Sequence, residues 1–566
     1  MNLKLTPRSR ATGNYGLIQD FQEEENYMCS IAGGGQKLGD CTRLFGCDIL
    51  IVLLHYIKMY MTNQEILKDL DPRRVWELFA ELTQIPRPSN KEEGVRFWLK
   101  DFADKNNLTY KQDEQGNLVI YKPEQNTNSK KTLLLQAHMD MVCQKEADLD
   151  FDFDKDSIRV RIENNFVYAC DTTLGSDNGI GLCMILAILE QKSISHPKIE
   201  ALFTMNEECG MFGVMGLDKS LISADYMINL DSEEEGTLWT SSAGGRNIFA
   251  EIPMNYINTN TYQVAYELKI SGLRGGHSGV NIHENRVNGI ELLAYILGLI
   301  QSKIGLSLVS IDGGNANNAI PRDTQAVLVF NRGFDLASIE KEIKYVNEQY
   351  INKESELSIS ITQTELPNQA IDQNTSRRFI KTLQSIHSGV YQMDETITNL
   401  VQTSFNLGII STSQNKITIS GMARSSDDFE LKVLLSKLFS VLELYLETSF
   451  SFDFNLAKKQ EIKTLEYNVE LSEVTPGWKH DPQNPLIDIF QEAHQVVTGK
   501  KAELMAVHAG LECGMIKQYL PNCKIISFGP TIQNAHTPQE KVGITSVKDC
   551  YEVVLKAIQI LGTQND

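Results

Sequence analysis

Three short apolar runs in this chain stop on residues that bind cations. "TLLLQAHMD" (132–140) ends on His and Asp, "KIEALFTMNEE" (198–208) on a Glu pair, and "ADYMINLDSEE" (224–234) on Asp and Glu. Each has the length and composition of a strand, and "NLVIYK" (117–122) adds another. Between them lies "NGIGLCMILAILEQK" (178–192), apolar on nearly every side, which is the mark of a buried helix rather than a surface one. Buried strands alternating with a buried helix admit few folds. The pattern predicts an α/β domain with a mostly parallel, doubly wound sheet and helices on both faces. In such sheets chemistry collects at the carboxyl ends of the strands, where these acidic and His residues stand.

With 566 residues, the chain is too long for one core. After residue 245 the rhythm changes. Residues 262–330 read strand ("YELKISG"), helix ("NGIELLAYILGLIQSK") and two strands ("LSLVSIDGG", "DTQAVLVF"). Residues 376–450 repeat that style with "SRRFIKTLQSIHSG", "TSFNLGIIST", "KITISGMARSS" and "DFELKVLLSKLFSVLELYLE". An inserted α+β lid domain of two similar halves is expected. Beyond 472 the first style returns, with a helix at 485–498, "CKIISFGPTIQNAH" (523–536) and a closing helix at 545–562. The expected organisation is an N-terminal extension (1–61), a catalytic domain in two parts (62–245 and 472–566), and the lid (246–471) between them. Patterned sequence begins where Leu70, Val75, Leu78, Phe79 and Leu82 space helically, and Met59 and Met61 are alternative starts. The apolar run "CDILIVLLHYI" (47–57) is too short to span a bilayer and lies too far inside for a signal peptide.

A formal charge of −20 argues against nucleic-acid or anionic-membrane partners. Ten cysteines without a CxxC pair read as free thiols in a reducing compartment, so a cytoplasmic protein is expected. Cys143 and Cys209 fall near the candidate site residues.

Taken singly, each of those residues has a bland explanation. His138 and Asp140 share one side of a strand, where His138 is able to bind a metal while Asp140 takes its other ring N–H, but most such pairs are surface pairs. Asp177 in "TLGSDNGIG" looks like a helix cap, although Gly175, Asn178, Gly179 and Gly181 suggest a tight turn that presents its carboxylate. Glu207 and Glu208 would ordinarily be a solvated pair, as Glu233 to Glu235 are. Asp231 follows another strand, and His536 sits in a loop between Pro530 and Pro538. Collectively they place His, Asp, Glu, Asp and His at or just beyond the strand ends of one sheet. That set suits a pair of divalent, zinc-like ions sharing one carboxylate, with one Glu left over as a base.

In order along the chain, "AHMDMV", "LGSDNGIG", "NEECGMFG", "NLDSEE", "GGHSG", "HAGLECG" and "GPTIQNAH" resemble the motifs of the aminoacyl-histidine dipeptidases. These are also called Xaa-His, β-alanyl-histidine or cytosolic non-specific dipeptidases, and they belong to the co-catalytic zinc peptidases that include carboxypeptidases and aminoacylases. The resemblance runs from about residue 62 to the end. It implies that His138 and Asp231 hold one metal, Glu208 and His536 the other, and that Asp177 bridges them. Asp140 would orient His138, and Glu207 would be the general base, standing just outside coordination. Because neighbouring side chains on a strand point opposite ways, Glu208 is expected to face the metal and Glu207 the water. His277 of "GLRGGHSGV" is similar to the residue that stabilises the oxyanion, Asn318 of "GGNANNAIPRD" to a substrate contact, and Arg424 of "GMARSS" to a carboxylate clamp. His508 and Glu512 would line the pocket floor. The implied cofactors are two divalent ions per chain, zinc first, with manganese and cobalt as alternatives. The implied substrates are unblocked dipeptides, Xaa-His (carnosine-like) among them. A doubled lid could supply His277 to its own site, so a homodimer is compatible with the reading but not required by it. The competing readings are a sister aminoacylase or tripeptidase with the same metal centre, and a metal- or peptide-binding relative without catalysis.

Overall fold

The computed structural model describes residues 61–563, apart from 262, 396, 398, 399, 457 and 465. From Lys68 the chain forms one compact unit. Ahead of it the helix Asn63–Leu67 is described, and the rest of the expected extension (1–60) lies outside the described residues.

An eight-stranded sheet contains β1 (Thr109–Gln112), β2 (Leu118–Lys122), β3 (Thr132–His138), β4 (Lys198–Thr204), β5 (Tyr226–Asn229), β6 (Thr237–Ser242), β7 (Glu503–Val507) and β8 (Lys524–Ser527), in the order β1-β2-β4-β3-β5-β8-β6-β7. Its centre is parallel. β3 pairs with β4 and β5, and β5 with β8, all in the same direction. β1 and β2 form an antiparallel edge against β4. All seven residues of β3 are buried, as the unbroken apolar run requires when both sheet faces are covered. Helix α1 (Ser176–Leu189) is buried on every side except at Asp177. It is held between β3 and the helices Arg73–Leu82 and Ile544–Thr563, which explains why its sequence carries no polar face. Helix α2 (Glu512–Tyr519) covers the other face, where Cys513 and Ile516 pack with Val119, Leu134 and Leu202.

Residues 244–471 build a second sheet of ten strands. The strands Gln263–Ser271, Ser307–Gly313, Thr324–Asn331 and Ser358–Thr364 carry the helices Gly289–Lys303 and Leu336–Tyr350. The strands Val401–Ser413 and Lys416–Ser425 carry the helix Asp428–Leu446, and the helix Gln373–Ser385 packs on that helix, on Gly289–Lys303 and on the strand Ser307–Gly313. The two groups meet where Gly313 pairs with Ile410, so they share one continuous sheet. Helix Leu336–Tyr350 escaped the sequence reading because its buried stripe is only Ile339, Ile343 and Val346 in a run of charged residues. The chain enters this layer at Gly244 and leaves it near Thr475. The two crossings are tied together, since Gly245 and Thr475 exchange main-chain hydrogen bonds of 2.7 and 2.9 Å, and Ser242 and Trp478 do so at 2.8 and 2.9 Å.

Candidate metal centre and substrate cleft

His138 ends β3 and is completely buried. Its Nε2 lies 3.1 Å from Asp177 Oδ1 and 3.4 Å from Asp231 Oδ1. The second Asp177 oxygen lies 3.1 Å from His536 Nε2, which is also 3.1 Å from the Glu208 carboxylate. Asp177 thus stands between two pairs of donors, His138 with Asp231 and His536 with Glu208. The donor atoms of His138, Asp177 and Glu208 all fall within 4.8 Å of one another. The Glu207 carboxylate takes part in none of these contacts. Neither Cys143 nor Cys209 joins the cluster, and the described cysteines are all free thiols.

Backbone geometry sets this arrangement. Gly175 is left-handed (φ 68°), and Asp177 is extended (φ −81°, ψ 112°) at the mouth of α1, so its carboxylate does not cap the helix. Glu540 caps instead. Its buried carboxylate accepts the N–H groups of Leu174, Gly175 and Ser176 at 2.8, 2.9 and 2.7 Å and the Ser176 hydroxyl at 2.6 Å. Buried Arg87 donates to the carbonyls of Met139 (3.0 Å), Asp140 (2.8 Å) and Gly175. Glu540 therefore ties the His536 loop to the Asp177 turn, and Arg87 ties that turn to the end of β3. Sequence reasoning missed both. The only traces were an acid four residues after His536 and an arginine between two prolines in "IPRPS".

The glutamate pair does not sit on a strand end, which corrects the expectation that strand alternation separates its roles. β4 stops at Thr204, and Glu207 opens a turn in which Gly210 and Met211 donate to its carbonyl at 3.0 and 2.9 Å. Asp140 holds this turn. Its two oxygens accept the N–H of Glu207 (3.1 Å) and of Glu208 (3.2 Å), and the Ser89 hydroxyl at 2.7 Å. The same carboxylate faces His138 Nδ1 at 3.4 Å, while the Asp140 carbonyl is 3.2 Å from that nitrogen. One residue therefore orients the imidazole and both glutamates.

The cluster is electrostatically unbalanced. Burial pushes Glu207, Glu208 and Asp231 above the usual carboxylate range, and the neighbouring carboxylates add to it. Burial acts the same way on Asp177, but hydrogen bonds from His138 and His536 outweigh it and hold Asp177 low. Hydrogen bonds to Asp177 and Glu208 push His536 up to about 11. Burial opposes charge on His138, yet Asp231, Asp140 and Asp177 raise it well above its ordinary value. Two like charges about 4 Å apart cost about 4 kcal/mol at an effective dielectric of about 20. Among the described residues no lysine or arginine forms an ion pair with Asp177, Glu208 or Asp231. Such a nitrogen- and oxygen-donor set fits divalent cations of the zinc type.

A second group centres on the ten-stranded layer. Gly276–His277 pairs with Ala319–Ile320, and Ser278 donates to the Asn318 carbonyl at 2.8 Å, leaving the Asn318 side chain exposed. Arg424 lies opposite Ser404 and is 6% exposed. Its Nε has no hydrogen-bond partner, no acid pairs with it among the described residues, and burial pushes it down to about 10. His508 Nε2 is 2.7 Å from the Ser404 hydroxyl, and burial together with Arg424 pushes the ring down to about 3, so it is neutral. The segment 508–510 joins the two groups. A Cβ on Gly279 would stand 2.3 Å from the His508 carbonyl, and one on Gly510 would stand 3.1 Å from Met211 Cε in the glutamate turn. Glu512, two residues beyond Gly510, is fully buried, accepting from Thr204 (2.7 Å) and Gln136 (2.5 Å), with burial pushing it up to about 8.

A largely parallel sheet with two histidines and three carboxylates gathered on the turns, helix mouth and loop around its strand ends, facing a second layer whose Arg424 has no acid partner among the described residues, is the architecture of a metal-dependent hydrolase. The chain belongs to Peptidase family M20/M25/M40, which matches residues 134–560. It is 32% identical over 487 residues to the cytosol non-specific dipeptidase of Escherichia coli (strain K12), an alignment covering 85% of this chain and 96% of that one. The crystal structure of aminoacylhistidine dipeptidase from Vibrio alginolyticus superposes with a TM-score of 0.79 at 32% identity, over 88% of this chain and 99% of that chain. A tripeptidase from Staphylococcus aureus shares the fold, with a TM-score of 0.50 at 17% identity over 88% of this chain and 100% of its own. No described helix is long and apolar enough to cross a membrane.

Proposed function

We propose that this chain is a two-metal dipeptidase that hydrolyses unblocked dipeptides, Xaa-His (carnosine-like) substrates among them, and that residues 246–471 act as its lid. The observation that carries the reading is Asp177, whose two oxygens face two separate donor pairs. His138 and Asp231 would hold one divalent ion, Glu208 and His536 the other, with Asp177 shared. Zinc is the first candidate, and manganese and cobalt suit the same donors. Bound there, two such ions supply an acidified water and a polarised carbonyl.

The chain's own residues do the rest. Glu207, outside the donor contacts but on the same turn as Glu208, takes the water's proton and passes it to the departing amine. Asp140 fixes the His138 ring and the Glu207 backbone together, so base and ligand move as one piece. His277 donates a hydrogen bond to the oxygen that gains charge in the transition state. Arg424, buried and without an acid, binds the terminal carboxylate of the peptide, while Ser404 and neutral His508 shape the floor beside it. Asn318 borders the same cleft from the exposed edge of its ribbon.

The sister aminoacylases and tripeptidases also take substrates that end in a free carboxylate, so a substrate panel rather than the clamp separates them. The chain is expected to cleave carnosine and other free dipeptides faster than tripeptides or N-acetyl amino acids. Arg424→Ala should raise KM for a free dipeptide by about 10- to 100-fold, the cost of about 1.5–3 kcal/mol for a hydrogen bond to a charged group, while leaving the weak cleavage of a dipeptide amide unchanged. Preferred hydrolysis of N-acetyl amino acids, or an Arg424→Ala variant that treats acid and amide alike, would sink this assignment.

A further inference from the structure

The loop from Leu273 to Val287 carries His277, and a single carboxylate far along the chain pins both its ends. Glu354 follows the helix Leu336–Tyr350 and is 0% exposed. Its Oε2 accepts the N–H of Arg274 at 2.8 Å, and its Oε1 accepts the N–H of Val287 at 3.1 Å. A buried carboxylate is costly unless hydrogen-bonded, and here both bonds go to the two stems of one loop.

Within the loop the ring of His277 is fixed as well. The N–H groups of Gly279 and Val280 point at His277 Nδ1, at 3.2 and 3.1 Å. Main-chain nitrogens can only donate, so Nδ1 is the acceptor and the ring proton stands on Nε2. The His277 N–H donates to Asn281 Oδ1 at 2.9 Å, and the Asn281 N–H returns a bond to the His277 carbonyl at 2.9 Å. Arg286 closes the loop from inside, donating to the Gly275 carbonyl at 2.6 Å.

We infer that Glu354 is a positioning residue for His277. It holds the loop stems at the separation that aims the Nε2–H of a neutral imidazole into the cleft. The inference rests on the reading of His277 as the oxyanion donor. It acts through preorganisation: a donor already in place costs nothing to reorient when charge develops, whereas a loose one does. Glutamine at 354 offers only one acceptor oxygen and turns an NH₂ donor toward the second N–H, so one stem is released.

The test is a double-mutant cycle on the zinc-loaded full chain, reading kcat, KM and bound zinc for a free dipeptide. His277→Ala should lower kcat by about 10²- to 10³-fold, as loss of one oxyanion donor does. Glu354→Gln should lower kcat by about 10-fold or more, with KM and zinc content close to those of the parent. In the His277→Ala background, Glu354→Gln should cost nothing further, because the group it positions is gone. An equal cost in both backgrounds would mean a general structural role and would overturn the inference, as would a Glu354→Gln variant with parental kcat. If His277→Ala itself keeps parental kcat, the oxyanion reading fails first. Hydrogen exchange on the unmodified protein serves should the Gln variant not fold. The amides of Arg274 and Val287 should exchange as slowly as those of the neighbouring strand, and exchange at open-loop rates would refute the clamp.

Discussion

Glu207→Ala is expected to bind the full complement of metal and to turn over dipeptide about 10³-fold more slowly, within the range that loss of a positioned general base produces. The expectation follows from the division of the glutamate turn. Glu208 reaches His536, whereas the Glu207 carboxylate contacts none of the five donor groups. On the proposed roles, removing Glu207 should take away the proton acceptor without opening either proposed metal subsite. Its carboxylate is pushed upward by burial, so the metal-free variant should also be no less stable to heat than the metal-free parent. The check is metal content by atomic emission beside steady-state kinetics. Loss of metal in place of loss of turnover would mean that the roles of Glu207 and Glu208 are exchanged.

Asp177→Ala is expected to be the most damaging single change at the site. Both carboxylate oxygens are engaged, one toward His138 and one toward His536, so truncation strips a ligand from both subsites at once. Turnover should fall to background, and neither ion should survive dialysis. His536→Ala, which touches only one subsite, should retain the ion held by His138 and Asp231 while losing the other. If the two variants lose the same amount of metal, Asp177 is not shared between the subsites.

The sequence carried the sheet and the donor residues more fully than their supports. Strand ends are written locally: an apolar run that stops on His138 or just short of Asp231 marks both the element and its chemistry. Helix α1 was equally plain, because burial on all sides leaves an uninterrupted apolar stretch. Residues that act across the fold left no such local mark. Glu540 is separated from the Asp177 turn by most of the chain, and Glu354 from Arg274 by two α-helices and four strands. An isolated acid reads as a surface residue until the fold surrounds it with N–H groups. The glutamate turn was misplaced onto a strand for a related reason. After Thr204 the chain turns through left-handed Asn206 (φ 53°), and the turn is held by the carboxylate of Asp140, brought alongside by the pairing of β3 with β4, and pairing between strands is not visible in either strand alone.

Asp177 and the four side chains around it, His138, Asp231, Glu208 and His536, are proposed to hold two metals that act together. Stepwise addition of zinc to chelator-stripped protein, with bound metal and dipeptide turnover followed in the same sample, tests this most directly. The metal-free chain is expected to be inactive and of lower thermal stability, because its clustered carboxylates then lack their cations. Turnover is expected to recover fully only as the second equivalent binds. Full activity after a single equivalent, or in the stripped protein, would contradict the two-metal proposal.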